Sequence, residues 1–170
     1  MHGKRLAERN LDFEYDEIVD WSNRTLDSFY TFTLKTGVSL EKQVLLINTL
    51  GANGWFNLPH KATDDYIRNV SIYLRDHVRP DVKIYLEQGN ECWGTATHCG
   101  IYANKMGTQL NVTIAKNQNL YSADLQGRIC FHAQVMKHYS DIITSVFGVQ
   151  NRTRLKFVIN TQGINKRFQV

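Results

Sequence analysis

The sequence predicts an α/β fold built around a parallel sheet, and three observations carry that reading. Amphipathic helical stretches alternate with short apolar runs, the order that buries a parallel sheet beneath helices. A hydrophobic content of 42%, with 8 Tyr and 8 Phe, is ample for a packed core and excludes a disordered chain. No internal repeat, low-complexity tract or Pro/Gly-rich linker divides the 170 residues, so a single unit is expected across 1–170.

The elements follow in order. FEYDEIVDWSNR, from Phe13 to Arg24, reads as an early strand and its loop. Gly37-Val38-Ser39 introduces the helical stretch LEKQVLLINTLG. Ser39 can accept from the free N–H groups of the first turn, Glu41 suits the positive end of the dipole, and Gly51 supplies a left-handed stop. Leu40, Val44, Ile47 and Leu50 share one helical face. The run Gly54 to His60 is too short for a helix and reaches Pro59, so it reads as a buried strand feeding a loop. In ATDDYIRNVSIYLRDHVRP, Thr63 caps, Asp64 and Asp65 favour the N-terminus, Ile67, Val70, Leu74 and Val78 form the apolar stripe, and Pro80 ends the helix. DVKIYLEQGNECWG is the sharpest strand: Val82, Ile84 and Leu86 lie on one face, Lys83, Tyr85 and Glu87 on the other. A less regular region to about Asn119 includes a short helix near Gly100–Met106. A long amphipathic helix then spans roughly Asp124 to Phe147 with Gly148 behind it, and Arg154 to Gly163 is a last strand.

A net charge of +4 and a pI of about 9.0 invite a nucleic-acid reading. The basic residues are scattered, however, and interleave with aromatics along no single face; a mildly basic solvated surface accounts for the numbers. No apolar run approaches the roughly 20 residues that span a bilayer. The basic N-terminus lacks the apolar core of a signal peptide. Asn23, Asn69, Asn111 and Asn151 each begin an N-x-S/T sequon. That excess over chance points toward a secretory origin and an extracellular or secretory location, although coincidence in an Asn-rich chain accounts for it as well. Cys92, Cys99 and Cys130 leave an odd thiol over in any pairing. Cys92 and Cys99 could bridge in an oxidising compartment, but buried free thiols are the expectation. His98 between them does not complete a zinc site, which wants four ligands, so no metal is expected.

The informative stretch is Glu87-Gln88-Gly89-Asn90-Glu91-Cys92-Trp93. A Glu at the C-terminal end of a parallel strand can protonate the oxygen of a departing sugar if apolar neighbours raise its pKa. The preceding Asn can hydrogen-bond a sugar hydroxyl near the reacting carbon. Trp93 could floor the apolar face of a sugar. Taken alone, an Asn-Glu dipeptide is weak, and a solvated loop Glu is its ordinary explanation.

The surroundings sharpen it. Gly37-Val38 with Glu41, Trp55-Phe56-Asn57-Leu58-Pro59, Ala62-Thr63-Asp64-Asp65-Tyr66-Ile67-Arg68 and Glu87 to Trp93 stand in the order of the G-V-x-x-E, W-[FI]-N-[ILMV]-P, A-[TD]-D-D-Y-[VI]-R and E-Y-S-N-E-V-W motifs. Over about residues 21–94 the chain resembles clan A glycoside hydrolase-like proteins, a large group with cellulase relatives. Trp21-Ser22-Asn23-Arg24 is similar to a W-x-x-R found earlier in the group. The resemblance implies a partial (β/α)8 barrel, because a complete one needs roughly 250 residues. It implies a retaining hydrolase acting on β-linked poly- or oligosaccharides without a cofactor. Glu91 would be the acid/base and Asn90 a sugar contact, and His60 matches a site histidine. Trp55 and Phe56 are more often core than subsite, and Trp21 could be either.

The departures bear on activity. Gln88-Gly89 replaces Tyr-Ser, and Cys92 and Gly94 replace Val and Asn; Gly89 would loosen the backbone beneath Asn90, and either Glu91 lines the barrel interior with Lys83, Tyr85 and Glu87 or a bulge at Gly89 shifts the register. Retention needs a second carboxylate about 5–5.5 Å from the first. No Glu follows Glu91, the last acidic residue being Asp141, and the chain is expected to stop after the fifth strand with the nucleophile strand missing and the chain inactive by itself. Two alternatives stand beside a hydrolase fragment. One is a non-catalytic carbohydrate-binding or pseudoenzyme module gripping sugar through Trp93, Trp55 and Asn90. The other is an interaction protein whose open strand edges self-associate.

Overall fold

A computed structural model describes residues 18–31, 37–94, 97–110 and 123–159. The first half of the expected early strand, the Asn111 sequon and the last strand beyond 159 lie outside them. Among the described residues the chain is α/β: a 3-10 turn at Trp21–Asn23, α1 at Leu40–Leu50, β1 at Gly54–Leu58, α2 at Asp64–His77, β2 at Ile84–Gln88, α3 at His98–Gln109, α4 at Ala123–Asn151 and β3 at Leu155–Val158. The described part of the expected early strand is instead that 3-10 turn and its flanks.

The three strands form one sheet in the order β1-β2-β3, every pairing parallel, with Phe56 opposite Leu86 and Ile84 opposite Leu155. Parallel neighbours need crossovers, which α2 and the α3–α4 pair supply. Ser39 Oγ accepts from Lys42 N and Thr63 Oγ1 from Tyr66 N, so both foreseen caps form. Gly51, at φ 59°, closes α1 in the left-handed conformation. In α4 the helical path breaks at Gly148, at φ 69°.

One face of the sheet is packed under helices. Phe56, Leu58, Ile84 and Leu86 join Val44 and Ile47 of α1, Ile67, Val70 and Leu74 of α2, and Tyr139, Ile143 and Phe147 of α4 in a single core. Ile67 and Ile84 are wholly buried, and each such side chain contributes about 1.5–3 kcal/mol. The alternate positions carry a different chemistry. Trp55 stacks on Tyr85 with centroids 5.6 Å apart, and its indole N–H donates to Glu87 Oε2 at 2.7 Å. Glu87 is fully buried there, while Lys83 and Lys156 are exposed.

Two further ties fix the helices. Arg154 donates to the carbonyls of Val78 at 2.9 Å and Arg79 at 2.6 Å, and more distantly to Val82, stapling β3 to the turn that enters β2. Helices α3 and α4 touch backbone to backbone at Gly107 and Gly127, where a Cβ on Gly107 would fall inside the main chain of Gly127.

Candidate functional site

A cavity of about 80 Å3 lies at the C-terminal ends of β1 and β2, where α1, α2 and the residues around Arg24 meet the loop after β2. Its polar lining includes Arg24, Asn57, His60, Tyr66 and Asn90. Strand register places Asn57 and the two loops in this order. Asn57 is the last outward-alternating residue of β1, and its Nδ2 donates to Gly89 O at 2.5 Å, which ties it to the loop carrying Asn90. That bond fixes the orientation of the Asn57 amide. Its Oδ1 is then a buried acceptor with no hydrogen-bond partner, and Asn90 Oδ1, on a residue 8% exposed, is another. Buried acceptors left unmet cost about 1–3 kcal/mol each, so this corner suits a donor-bearing ligand or water.

Arg24 is held from three sides. Its guanidinium lies 4.0 Å above the Trp21 ring, Nη1 donates to Trp21 O, and Nη2 pairs with Glu41 at 3.3 Å. Tyr66 is edge-on to Trp21, and burial pushes its phenol up to about 12, so it is a neutral donor at physiological pH. His60 is 5% exposed and packs against Tyr102, whose ring meets Phe131 edge-on. It is therefore an interior residue and not a solvated loop histidine.

Beneath the site runs a polar connection between β2 and α4. Gln88, also buried, donates from Nε2 to His60 O, and its Oε1 meets His132 Nδ1 in a short contact. Burial lowers the His132 imidazole to about 4, so the ring is neutral at physiological pH, and its Nε2 is buried with no partner.

The loop after β2 departs from regular strand geometry twice. Gly89 has φ 59° and Glu91 φ 50°, the latter a conformation that costs a non-glycine residue and is found where the surroundings over-determine it. The alternation ends at Gly89, and Asn90 turns inward while Glu91 is exposed and outside the cavity lining. The Glu91 carbonyl accepts from Gly94 N at 2.7 Å and Thr97 Oγ1 at 3.1 Å. Cys92 and Cys99 are joined in a disulfide, which overturns the expectation of free thiols, and Cys130 is the free cysteine. Trp93 lies beside the loop, accepting at its carbonyl from Arg128 Nη1 at 2.9 Å, and is not part of the cavity lining. Trp55 belongs to the sheet face with Tyr85 and Glu87.

Of the residues singled out by sequence, then, Asn90 and His60 come together in the cavity, while Glu91, Trp93 and Trp55 stand outside its lining. Asn57 was passed over, although its alternation with Trp55 marks it as facing away from the core. Among the described residues no group of three or more His, Cys, Asp or Glu side chains gathers to hold a metal, and no helix is long and apolar enough to cross a membrane. No protein-family model, curated protein or solved structure matches the chain.

Proposed function

We propose that the chain is a sector of a glycoside hydrolase-like (β/α)8 barrel that binds a β-linked saccharide at the C-terminal ends of its strands, with Asn90 as the principal sugar contact. The observation that carries this reading is Asn90, a buried residue that lines the cavity together with Asn57, each with an amide Oδ1 that has no hydrogen-bond partner. Sugar hydroxyls are donors of the right size and geometry for such a pair. The sheet, which among the described residues has its helices packed on one face, supports the barrel. Parallel sheets are ordinarily covered on both faces, and a sheet with helices on one face and Trp55, Tyr85 and a buried Glu87 on the other has the pattern of a barrel wall.

In a longer polypeptide or assembly that brings a second carboxylate, Glu91 is the proposed acid/base of a retaining hydrolase. Its strained φ beside Asn90 supports a positioned role. The second reading is a binding module without catalysis, and Glu91's exposure outside the cavity lining favours it for this chain alone.

The test is titration calorimetry against a panel of soluble β-linked oligosaccharides, paired with a product assay. Wild type and Glu91→Gln are expected to bind alike, and Asn90→Ala to bind at least tenfold more weakly, the loss of one to two buried hydrogen bonds. Absence of binding to every member of the panel refutes the saccharide reading. Hydrolysis that vanishes in Glu91→Gln selects the catalytic form, and binding without hydrolysis selects the module.

A further inference from the structure

We infer that the Cys92–Cys99 disulfide is a redox latch on the Asn90–Glu91 turn, holding Asn90 in the cavity when oxidised and releasing it when reduced. What the latch gates rests on the saccharide reading; the latch itself does not.

The disulfide joins Cys92, directly after the turn, to the first turn of α3 at Cys99. Both half-cystines are buried, Cys92 at 1% and Cys99 at 5% exposure. They are packed directly on Gly89: a Cβ there would stand 2.5 Å from Cys92 Sγ and 2.6 Å from Cys99 Sγ. The left-handed turn that points Asn90 inward is thus seated on the two sulfurs. Cys92 Sγ also lies 3.2 Å from Gln88 O, the last residue of β2, so the bridge grips the turn at its root.

Two thiols cannot lie as close as two bonded sulfurs. With Gly89 on one side and the core on the other, the separation that reduction demands falls on the turn. Glu91 holds a left-handed backbone conformation that costs a non-glycine residue and relaxes once the clamp is gone. Besides the bridge the turn is held by hydrogen bonds alone: Gly89 N to Leu58 O and Gly94 N to Glu91 O, both at 2.7 Å, with Asn57 Nδ2 on Gly89 O, Thr97 Oγ1 on Glu91 O and Arg128 Nη1 on Trp93 O. Cys99 is among the residues lining the cavity, which is the side from which a reductant approaches the bridge. A small dithiol entering there breaks the S–S bond: its two S–H bonds are lost and its own S–S forms, while Cys92 and Cys99 each gain a proton. Two electrons and two protons pass and no other reactant is needed.

Native-state hydrogen exchange with mass readout tests the latch on the intact chain with and without dithiothreitol. Reduction, scored by the mass gain, is expected to raise exchange in peptides covering 89–94 on the order of tens of fold, while 84–86 of β2 stays protected. Reoxidation restores the slow rate. A Cys92→Ser/Cys99→Ser protein, with β2 protection as its folding control, shows the fast rate with or without reductant. Unchanged exchange after reduction, equal loosening of β2, or a bridge that the dithiol does not open each overturn the proposal. A parallel titration with a soluble β-glucan oligosaccharide separates the two readings. Binding lost on reduction supports both, and a working latch with no binding in either state leaves the latch and removes the saccharide.

Discussion

Trp55 reaches Glu87 because β1 and β2 run parallel with Trp55 opposite Tyr85, which puts the indole N–H on the diagonal to the next outward position. Trp55→Phe keeps the stacking on Tyr85 but removes the indole donor to a wholly buried carboxylate. A loss of about 1–3 kcal/mol is expected, read as a lower urea midpoint; an unchanged midpoint would show that the carboxylate is satisfied without the indole. At this scale the sequence was partly legible. Asn90 and His60 were marked by the resemblance and do meet in the cavity. Glu91 was marked as the acid/base and is exposed, and Gly89 was the warning: two left-handed residues within three positions turn consecutive side chains in ways no alternation encodes. The half-cystines were not legible as a pair, because a separation of 7 residues is compatible with a bridge or with two thiols, and only the return of α3 onto the turn decides it.

Local elements were read more surely than residues, because their signals are local. Ser39 and Thr63 cap as expected, Gly51 and Gly148 leave the helical path, and the strands at Gly54–Leu58 and Ile84–Gln88 fall within the segments assigned to them. The helix expected near Gly100–Met106 is longer, His98–Gln109, because Thr97 accepts from Gly100 N and so caps it earlier. Thr63 does two jobs: its Oγ1 caps α2, and its N–H donates to Val19 O at 2.9 Å, tying that helix to the segment before Arg24. Thr63→Ala removes the cap together with the hydroxyl's own contacts to Val19 O and Asp20 Oδ1, both at 3.3 Å, and leaves the N–H bond in place. A loss of about 1 kcal/mol is expected, with Thr63→Ser restoring most of it in the same denaturation series. What periodicity could not supply was partners: the stripe of α4 says that one face is buried, not that it meets α2 and α3.

For the molecule as a whole, the parallel α/β arrangement was legible from element order, whereas the polar connection from β2 to α4 was not, since Gln88 and His132 are 44 positions apart. That connection makes stability depend on pH. The His132 ring takes a proton near pH 4 in the folded chain but near 6.5 when unfolded. Its contribution is whole above pH 6.5 and is lost as pH falls toward 4, at about 1.4 kcal/mol per unit and about 3 kcal/mol in all. Denaturation midpoints followed from pH 7 to 4 are expected to fall, and to fall less in His132→Gln; equal slopes would mean that other groups govern the acid response. The glycine contact between α3 and α4 has a consequence of its own. Gly107 and Gly127 act as a fulcrum, and on the α4 arm beyond it sit Arg128, grasping the Trp93 carbonyl, and His132, grasping Gln88. A single methyl at Gly107 would pry that arm outward and slacken both grips at once, so a change far from the cavity would be felt at Asn90 as lost tension in its frame.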